Sequence, residues 1–377
     1  MADSTNKTTV KKLLTLADIK VNGKRAQDII ITDERFYDRA LSHGSLGIGE
    51  SYMDGWWSAN KLDRFFENAF QADLRDKVSK NWRLAAYVVR GSLINFQMGK
   101  RAYKNAQKHY DIGNDLYEPM LGKTMAYTCG YWDRGAKTLD KAQEDKFELV
   151  CQKLGLKKGM KVLDPGCGWG GLSRYMAQKY GCEVTCFTPA KEQIAYIKQH
   201  SKGLKVKPIL STWQDYKGKT KFDRIASIGM MEHVGPKNYE KYLRRMAEIL
   251  TDDGIMVLHT IGGNKSIRRI DPWIDKYIFP GGVLPSVKQL ASAFEGIFIL
   301  EDWHNLSTNY DKTLLAWYEN FKESYPKLNH DKYDTRFYRM WEFYLLTCAA
   351  LFRTRQTQLW QIVISKKGVT GGYKSVR

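Results

Sequence analysis

The chain has 377 residues, of which 43% are hydrophobic and 13% aromatic, so it is long enough to bury a large core and to form two domains. Its 60 lysines and arginines outnumber its 41 acidic residues, and the net charge of +19 favours nucleic acid or anionic lipid head groups as partners. The longest nearly apolar stretch, 345–352, is far shorter than the ~20 residues of a membrane-spanning helix, and residues 1–14 lack the apolar stretch of a signal peptide. Composition therefore predicts a globular protein that is soluble or peripheral to a membrane.

The six cysteines form neither a C-x-x-C pair nor the spacing of a zinc site. A chain of this length does not need disulfides for its stability. We therefore predict a cytoplasmic protein with reduced cysteines and no metal site.

Residues 1–105 are predicted to form a small, mainly helical N-terminal domain. Within it, the stretch GSLGIGESYMDGWW, 44–57, is rich in glycine and aromatic residues. Apolar residues at helical spacing predict helices between 61 and 98.

Eight basic residues between 76 and 110 are interleaved with aromatic and aliphatic residues. This pattern is typical of an interfacial segment that lies among anionic lipid head groups. It is equally typical of a solvated basic face packed on a neighbouring domain. The basic residues are Lys77, Lys80, Arg83, Arg90, Lys100, Arg101, Lys104 and Lys108.

A second domain is predicted over 106–377, where short apolar stretches alternate with helical patterns from about residue 160 onward. The alternation predicts an α/β fold with a doubly wound, mostly parallel seven-stranded sheet, whose ligands bind at the carboxyl ends of the strands. The aromatic-rich stretch 265–355 is predicted to be a helical insertion, and the polar, glycine-rich tail 368–377 is predicted to fray. Predicted strands are 160–164, 183–187, 206–210, 222–228, 254–261, 297–302 and 360–365, and helices between them include 171–180 and 237–250.

The stretch VLDPGCGWGG, 162–171, follows the first strand and spells G-x-G-x-x-G, a dinucleotide-binding pattern. A dinucleotide site also needs an acidic residue at the end of the next strand, where the sequence has Thr188 and Pro189. The glycines still predict a tight turn with backbone N–H groups at a helix N-terminus, which suits the methionine end of S-adenosylmethionine. Asp164 would then orient the backbone or bind the ammonium group of this ligand. The alternative is a tight strand-to-helix turn without a ligand.

Seven long motifs are spread along the chain: HYDIGNDLY (109–117), YTCGYW (127–132), LDPGCGWGGL (163–172), FDRIASIGMMEHVGPKNY (222–239), VLHTIG (257–262), DPWIDKYIFPGG (271–282) and EDWHNLSTNYD (301–311). They resemble the cyclopropane-fatty-acyl-phospholipid synthase family of S-adenosylmethionine-dependent enzymes, and the resemblance covers nearly the whole chain. One position departs from it, because Pro165 stands where the family usually has an aliphatic residue. Proline has no backbone N–H, so the turn loses one possible donor.

The resemblance implies transfer of a methylene group from S-adenosylmethionine to the cis double bond of an unsaturated acyl chain in a membrane phospholipid, which forms a cyclopropane ring. This chemistry needs aligned reactants, exclusion of water and a mild oxygen base near the new methyl group. The resemblance implies that the base is bound bicarbonate, oriented by Glu232. It is held by residues that match Cys129, Glu232, His259, the backbone of Ile261, and Tyr310.

The positions of three of these residues agree with a shared site. Glu232 follows the fourth predicted strand, His259 ends the fifth and Tyr310 follows the sixth, so all three are expected at the carboxyl edge of one sheet. Taken alone, His259 in an apolar strand is more often a hydrogen-bonded core histidine, and Cys129 an ordinary half-buried thiol.

The resemblance also places S-adenosylmethionine along the glycine turn, and the residues after the second and third strands near its ribose and adenine. Trp213 could equally be a packing residue of the core. The residues expected to contact the cofactor are Tyr127, Thr128, Asp164, Gly166, Gly168, Gly170, Thr188, Gln193, Trp213 and Gln214.

Two other functions remain open from the sequence: a methyltransferase that adds a methyl or methylene branch to another lipid, and a nucleic-acid methyltransferase. Base-amino methyltransferases resemble one another in an Asn/Asp-Pro-Pro-aromatic motif after the fourth strand, where this chain has IGMMEH, 228–233. We therefore expect a phospholipid membrane and not nucleic acid as the partner, with the protein peripheral on the inner face of the membrane. The family suggests a homodimer.

Overall fold

The computed structural model describes residues 2–74 and 112–377. The chain divides into two compact units. Unit 1 comprises Met1–Asn95, Arg268–Pro280 and Tyr310–Thr357, and unit 2 comprises Phe96–Ile267, Gly281–Asn309 and Gln358–Arg377. The predicted insertion is therefore shared between both units. The predicted boundary near residue 105 and the basic stretch 76–110 lie outside the described residues, so both stay predictions.

A seven-stranded sheet forms the centre of unit 2. Its strands are β3 Lys161–Pro165, β4 Glu183–Thr188, β5 Val206–Leu210, β6 Phe222–Ile228, β7 Leu250–Gly263, β8 Ile299–Asn305 and β9 Thr357–Ser365. They lie in the order β5-β4-β3-β6-β7-β9-β8. The first five strands in this order are parallel to one another, and β8 pairs antiparallel with β9. This confirms the predicted α/β fold class and all seven predicted strands.

Helices cover the sheet because each presents an apolar stripe to it. Helix α9, Tyr239–Ile249, shows the pattern: its buried residues recur at a spacing of three and four, and they join the core against β6 and β7. The other helices with residues in unit 2 are α4 Asn114–Leu121, α5 Leu139–Leu154, α6 Gly171–Tyr180, α7 Lys191–His200, α8 Met231–Val234, α11 Val287–Phe294 and the start of α12 Ser307–Ser324.

Unit 1 packs helices around an aromatic cluster. The Trp57 ring lies 5.0 Å from that of Phe65, and the Phe343 ring lies 5.1 Å from that of Phe66. Its elements are α1 Ala2–Leu16, β1 Ile29–Ile31, α2 Arg35–Met53, β2 Trp57–Ala59, α3 Leu62–Gln71, α10 Pro272–Tyr277, most of α12, a 3-10 turn Tyr325–Lys327, and α13 Thr335–Arg353. The described N-terminal residues are thus mainly helical, as predicted, and the predicted helices beyond residue 74 lie outside the described residues.

Most of the glycine-rich stretch 44–57 belongs to helix α2, which kinks at Gly44, where φ is 57°. A glycine is needed at position 49, because a Cβ atom there would collide with the ring of Trp273. Small residues therefore let the helix approach its neighbour closely.

The prediction that the tail 368–377 frays is wrong. The Tyr373 hydroxyl donates to the backbone oxygen of Lys153 at 2.9 Å, and the Arg377 guanidinium donates to both carboxylate oxygens of Asp302 at 2.6 and 2.7 Å. The tail is ordered because its polar side chains form hydrogen bonds with residues of unit 2 that are distant in sequence. Within residues 2–74 and 112–377, no helix has the length and apolar character needed to cross a membrane.

Candidate active site

The glycine turn joins β3 to α6. The backbone N–H groups of Gly166 and Cys167 both donate to the Phe187 oxygen, at 2.9 and 3.2 Å, and φ at Gly166 is 77°. A Cβ atom on Gly166 would lie 2.5 Å from the sulfur of Met230, so this position has no room for a side chain. Pro165 is the last residue of β3 and lies beyond the β3–β6 pairs, which end at Leu163, so its missing N–H does not interrupt the sheet. The predicted tight turn is thus present.

Asp164 lies beneath this turn, fully buried in β3. Its Oδ2 accepts a hydrogen bond from the Ser173 hydroxyl at 2.6 Å. Burial raises the pKa of Asp164 to about 7, opposed by the Ser173 hydrogen bond and the positive charge of Lys146. The structure therefore gives Asp164 the role of a buried support of the turn, and its contact with a ligand stays a prediction.

Thr188 and Gln193 meet at the carboxyl end of β4. The Thr188 hydroxyl donates to Gln193 Oε1 at 2.6 Å, and both side chains are buried. The amide nitrogen of Gln193 has no hydrogen-bond partner among the described residues. A buried amide with an unused donor is typical of a position that a polar ligand completes, which agrees with the predicted ribose contact.

Trp213 is buried and packs edge-to-face on Tyr242, with ring centroids 5.5 Å apart. Trp213 therefore does pack in the core, as the alternative interpretation of this residue expected. Gln214 follows it at a partly exposed position. The adenine contact predicted for both residues stays a prediction.

Residues 126–131 run along one face of α5. Gln143 Nε2 donates to the Thr128 backbone oxygen at 2.7 Å, and Lys146 Nζ donates to the Thr128 hydroxyl at 2.7 Å. The ring of Tyr127 lies 5.3 Å from that of Tyr117, in an edge-on contact. The segment predicted to close over the cofactor is therefore fixed from below by two polar side chains one helical turn apart.

The sequence reasoning missed Gln143 and Lys146, although a polar pair three residues apart on an otherwise apolar helix face was a visible signal. Lys146 is 2% exposed. Burial lowers its pKa to about 7, opposed by electrostatic interactions with Cys129 and Asp164. A lysine that is only partly protonated at neutral pH thus lies beside the predicted site.

Glu232 lies on the short helix α8, just after β6. Its Oε1 accepts a hydrogen bond from the backbone N–H of Ile261 at 2.6 Å, which unites two of the residues predicted for the base. Its Oε2 is buried and has no partner within the described part of the chain. Burial raises the pKa of Glu232 to about 7, opposed by hydrogen bonds from backbone N–H groups and from the side chain of Thr260.

His259 lies on β7 opposite Ile228, so it is at the carboxyl ends of the two central strands. Its Nδ1 lies 3.2 Å from the amide nitrogen of Gln361, and its Nε2 is buried without a partner in the described ranges. Burial, and then the charges of Lys146 and Lys153, hold the pKa of His259 well below its usual range, so the imidazole is neutral. Gln361 was also missed, because its neighbours are known only once the strand order is known.

Two members of the predicted set are not joined to this pair by a described contact. Cys129 is buried, and its thiol donates to the backbone oxygen of Gly130 at 3.1 Å. Tyr310 belongs to unit 1 and packs on Phe352 with ring centroids 4.5 Å apart. Their roles stay predictions. The described residues contain no cluster of three or more His, Cys, Asp or Glu side chains that could hold a metal ion.

Residues 97–362 match the family described as mycolic acid cyclopropane synthetase. The chain is 45% identical over 366 residues to the cyclopropane-fatty-acyl-phospholipid synthase of Escherichia coli strain K12, a match that covers 97% of this chain and 94% of that protein. Among solved structures, the cyclopropane synthase MmaA2 from Mycobacterium tuberculosis is 30% identical with a TM-score of 0.65, covering 70% of this chain and 98% of its own. The mycolic acid cyclopropane synthase CmaA1, solved in complex with SAH and CTAB, is 31% identical with the same TM-score and coverage.

The parallel sheet, the glycine turn after its first strand and these structural neighbours define the fold of class I S-adenosylmethionine-dependent methyltransferases. The chain belongs to the mycolic acid cyclopropane synthetase family, and it is similar along nearly its whole length to a phospholipid-acting member. The predicted resemblance and the predicted enzyme class, a methyltransferase, are thereby confirmed.

Proposed function

We propose that the protein transfers a methylene group from S-adenosylmethionine to the cis double bond of unsaturated acyl chains in membrane phospholipids, with bicarbonate as the base. The observation that carries this proposal is the pair of unused polar atoms on Glu232 and His259, buried at the carboxyl ends of β6 and β7. The glycine turn after β3 lies at the same edge of the sheet. A parallel sheet brings ligands together at this edge.

The two unused atoms are complementary to bicarbonate. Glu232 Oε2 accepts hydrogen bonds when ionised, so it would bind the hydroxyl of the anion and orient it. The neutral imidazole of His259 would donate to another oxygen of the anion. Bicarbonate, when bound, supplies a mild oxygen base. The resemblance also implies roles for Cys129, the backbone of Ile261 and Tyr310.

The glycine turn would hold the methionine end of S-adenosylmethionine, Gln193 would bind its ribose, and Tyr127 and Thr128 would cover it. This ligand, when bound, supplies an electrophilic methyl group on a sulfonium. The chain contributes water exclusion, because the side chains of Asp164, Glu232 and His259 are buried. Burial raises the pKa of Asp164 and of Glu232 to about 7 and keeps the imidazole of His259 neutral. Glu232 can therefore be ionised near neutral pH, as an acceptor for the hydroxyl of bicarbonate must be.

The lipid substrate is part of the same proposal. The match to the E. coli phospholipid-acting synthase extends over both units, which favours phospholipid over other lipid substrates. The net charge of +19 suits association with the inner face of a membrane rich in anionic lipids. The same proposal includes that the protein is located in the cytoplasm and forms a homodimer.

The test is incubation of the purified chain with S-adenosylmethionine and vesicles of cis-unsaturated phospholipid, followed by mass analysis and NMR of the lipids. We expect each product to gain one CH2 and to lose its alkene signals. A methylated lipid that keeps its alkene would instead establish the alternative of methyl or methylene branching. Methylation of added nucleic acid alone would overturn the proposal. The Glu232→Gln protein is the matched control.

A further inference from the structure

We propose that Gln361 is a positioning residue that holds the neutral imidazole of His259 as the tautomer with its proton on Nε2. Gln361 lies on β9, next to β7 in the sheet. The inference rests on the proposed function, in which His259 donates a hydrogen bond to the bound anion.

The geometry of the pair carries the proposal. The amide nitrogen of Gln361 lies 3.2 Å from His259 Nδ1, and the two side chains are 0% and 2% exposed. An amide NH2 group only donates, so Nδ1 must accept and cannot carry a proton. A neutral imidazole then carries its proton on Nε2. The structure leaves Nε2 buried without a partner among the described residues, so this donor is available to a ligand.

The imidazole is held neutral by its surroundings. Burial is the main cause of its lowered pKa, and the positive charges of Lys146 and Lys153 act in the same direction. A second proton on Nδ1 is thus disfavoured, and it would also point at the Gln361 amide, which offers no acceptor there. The choice of tautomer therefore depends on the one hydrogen bond to Gln361.

The position of Gln361 also indicates a role beyond packing. The residue interrupts an apolar strand, and its neighbours Trp360 and Ile362 are buried. Its Oε1 has no hydrogen-bond partner within 2–74 and 112–377. A buried amide oxygen without a hydrogen-bond partner destabilises the fold relative to a satisfied one. A strand interior with no function to serve would be more stable with an apolar residue at this position.

The orientation of the amide decides what the site can bind. With Oε1 facing Nδ1, the imidazole would carry its proton on Nδ1 and present a lone pair at Nε2. Two acceptors, His259 Nε2 and Glu232 Oε2, would then face the anion, and its oxygens would lose a donor. The observed orientation gives one donor and one acceptor, which is the complement of bicarbonate.

Nitrogen-15 NMR of the full chain, labelled at its seven histidines, tests the tautomer directly. Nitrogens that carry a proton and those that do not are well separated in chemical shift, and a His259→Gln protein identifies the two signals of His259. We expect a protonated Nε2 and an unprotonated Nδ1 in the parent protein. In Gln361→Glu, whose carboxylate accepts from Nδ1–H, we expect the two signals to exchange character. A parent protein with its proton on Nδ1 would overturn the proposal.

Turnover on phospholipid vesicles is the second measurement that tests the role of Gln361. Gln361→Met keeps the length of the side chain and removes the donor, so we expect kcat to fall about tenfold or more with S-adenosylmethionine affinity unchanged. Gln152→Met, at an exposed position of α5, is the matched control and should keep parental kcat. An unchanged kcat in Gln361→Met contradicts the positioning role. The tautomer is measured without turnover, so a parent with the expected tautomer and no activity on phospholipid would refute the proposed function alone.

Discussion

The acidic and basic groups of unit 1 and those at the carboxyl edge of the sheet in unit 2 have opposite surroundings. In unit 1, Arg353 donates to Asp63 and Glu67 at 2.9 Å and to Asp311 at 3.0 Å. Burial acts to raise the pKa of Glu50, but hydrogen bonds from Lys276, Arg39 and Tyr277 hold it at about 2. These half-buried groups of unit 1 therefore have oppositely charged partners.

At the carboxyl edge of the sheet in unit 2, the buried groups lack such partners. Lys146, Asp164 and Glu232 each have a pKa of about 7, and burial is the main cause in all three. Paired charges fix a structure, whereas buried groups displaced towards neutrality are typical of sites that perform chemistry. We therefore infer that the ion pairs of unit 1 stabilise the fold, whereas the unpaired groups at the sheet edge of unit 2 take part in the reaction.

The largest expected effect is on turnover in Glu232→Gln. The amide keeps the size of the side chain but loses the ionised acceptor at Oε2, so we expect kcat on phospholipid vesicles to fall about 100-fold or more. The affinity for S-adenosylmethionine, measured by calorimetry, should be almost unchanged, because the glycine turn follows β3 whereas Glu232 follows β6. Near-normal turnover in Glu232→Gln would contradict the role proposed for Glu232 in binding the base.

Gly166→Ala tests the other half of the site. The new Cβ would meet the sulfur of Met230 and force a positive φ on alanine, so we expect S-adenosylmethionine binding to weaken about tenfold or more. Gly168→Ala is the control, because its φ is also positive but no atom lies within 4 Å of the added Cβ. Equal losses in both variants would show that backbone strain, and not the close approach to Met230, limits the turn.

Arg353→Met tests the structural role of unit 1. The change leaves three carboxylates without their shared guanidinium, so we expect a loss of about 1–3 kcal/mol in the free energy of unfolding, measured with urea. Arg64→Met, at a more exposed ion pair with Glu67, should cost less than about 1 kcal/mol. Folded Arg353→Met protein should keep its affinity for S-adenosylmethionine, because the glycine turn belongs to unit 2. A stable Arg353→Met protein that has lost this affinity would contradict a purely structural role for Arg353.

The last prediction concerns the pH dependence of stability. Glu232 has a pKa of about 7 when folded and an ordinary value of 4.5, so between these values the folded chain holds a proton that the unfolded chain has lost. The stability that this group contributes is full below 4.5 and declines as the pH rises through 7. Glu232→Gln lacks this decline, so its stability relative to the parent should grow by about 1.4 kcal/mol for each pH unit within the window. The contribution of Asp164 to the free energy of unfolding declines in the same way in both proteins, so it cancels when their stabilities are compared. Urea unfolding that gives parallel curves for the two proteins would show that Glu232 is not displaced towards neutrality.

The sequence predicted the fold well because strand and helix periodicities are local. All seven strands and helix 171–180 were found, and the glycine turn, Glu232 and His259 were placed at the right edge. Gln361 could not be predicted as the partner of His259, because β9 lies between β7 and β8 in space but last in the chain. The tail was mispredicted for the same reason, since Tyr373 bonds to Lys153, 220 residues away.

The central claim is that the unpaired atoms of Glu232 and His259 bind the base of the reaction. Turnover on phospholipid vesicles in buffer freed of carbon dioxide, before and after addition of bicarbonate, tests it most directly. The account predicts that turnover of the parent protein falls strongly on withdrawal and returns with bicarbonate, and that Glu232→Gln gains little from the addition. Equal turnover of the parent protein with and without bicarbonate would contradict it.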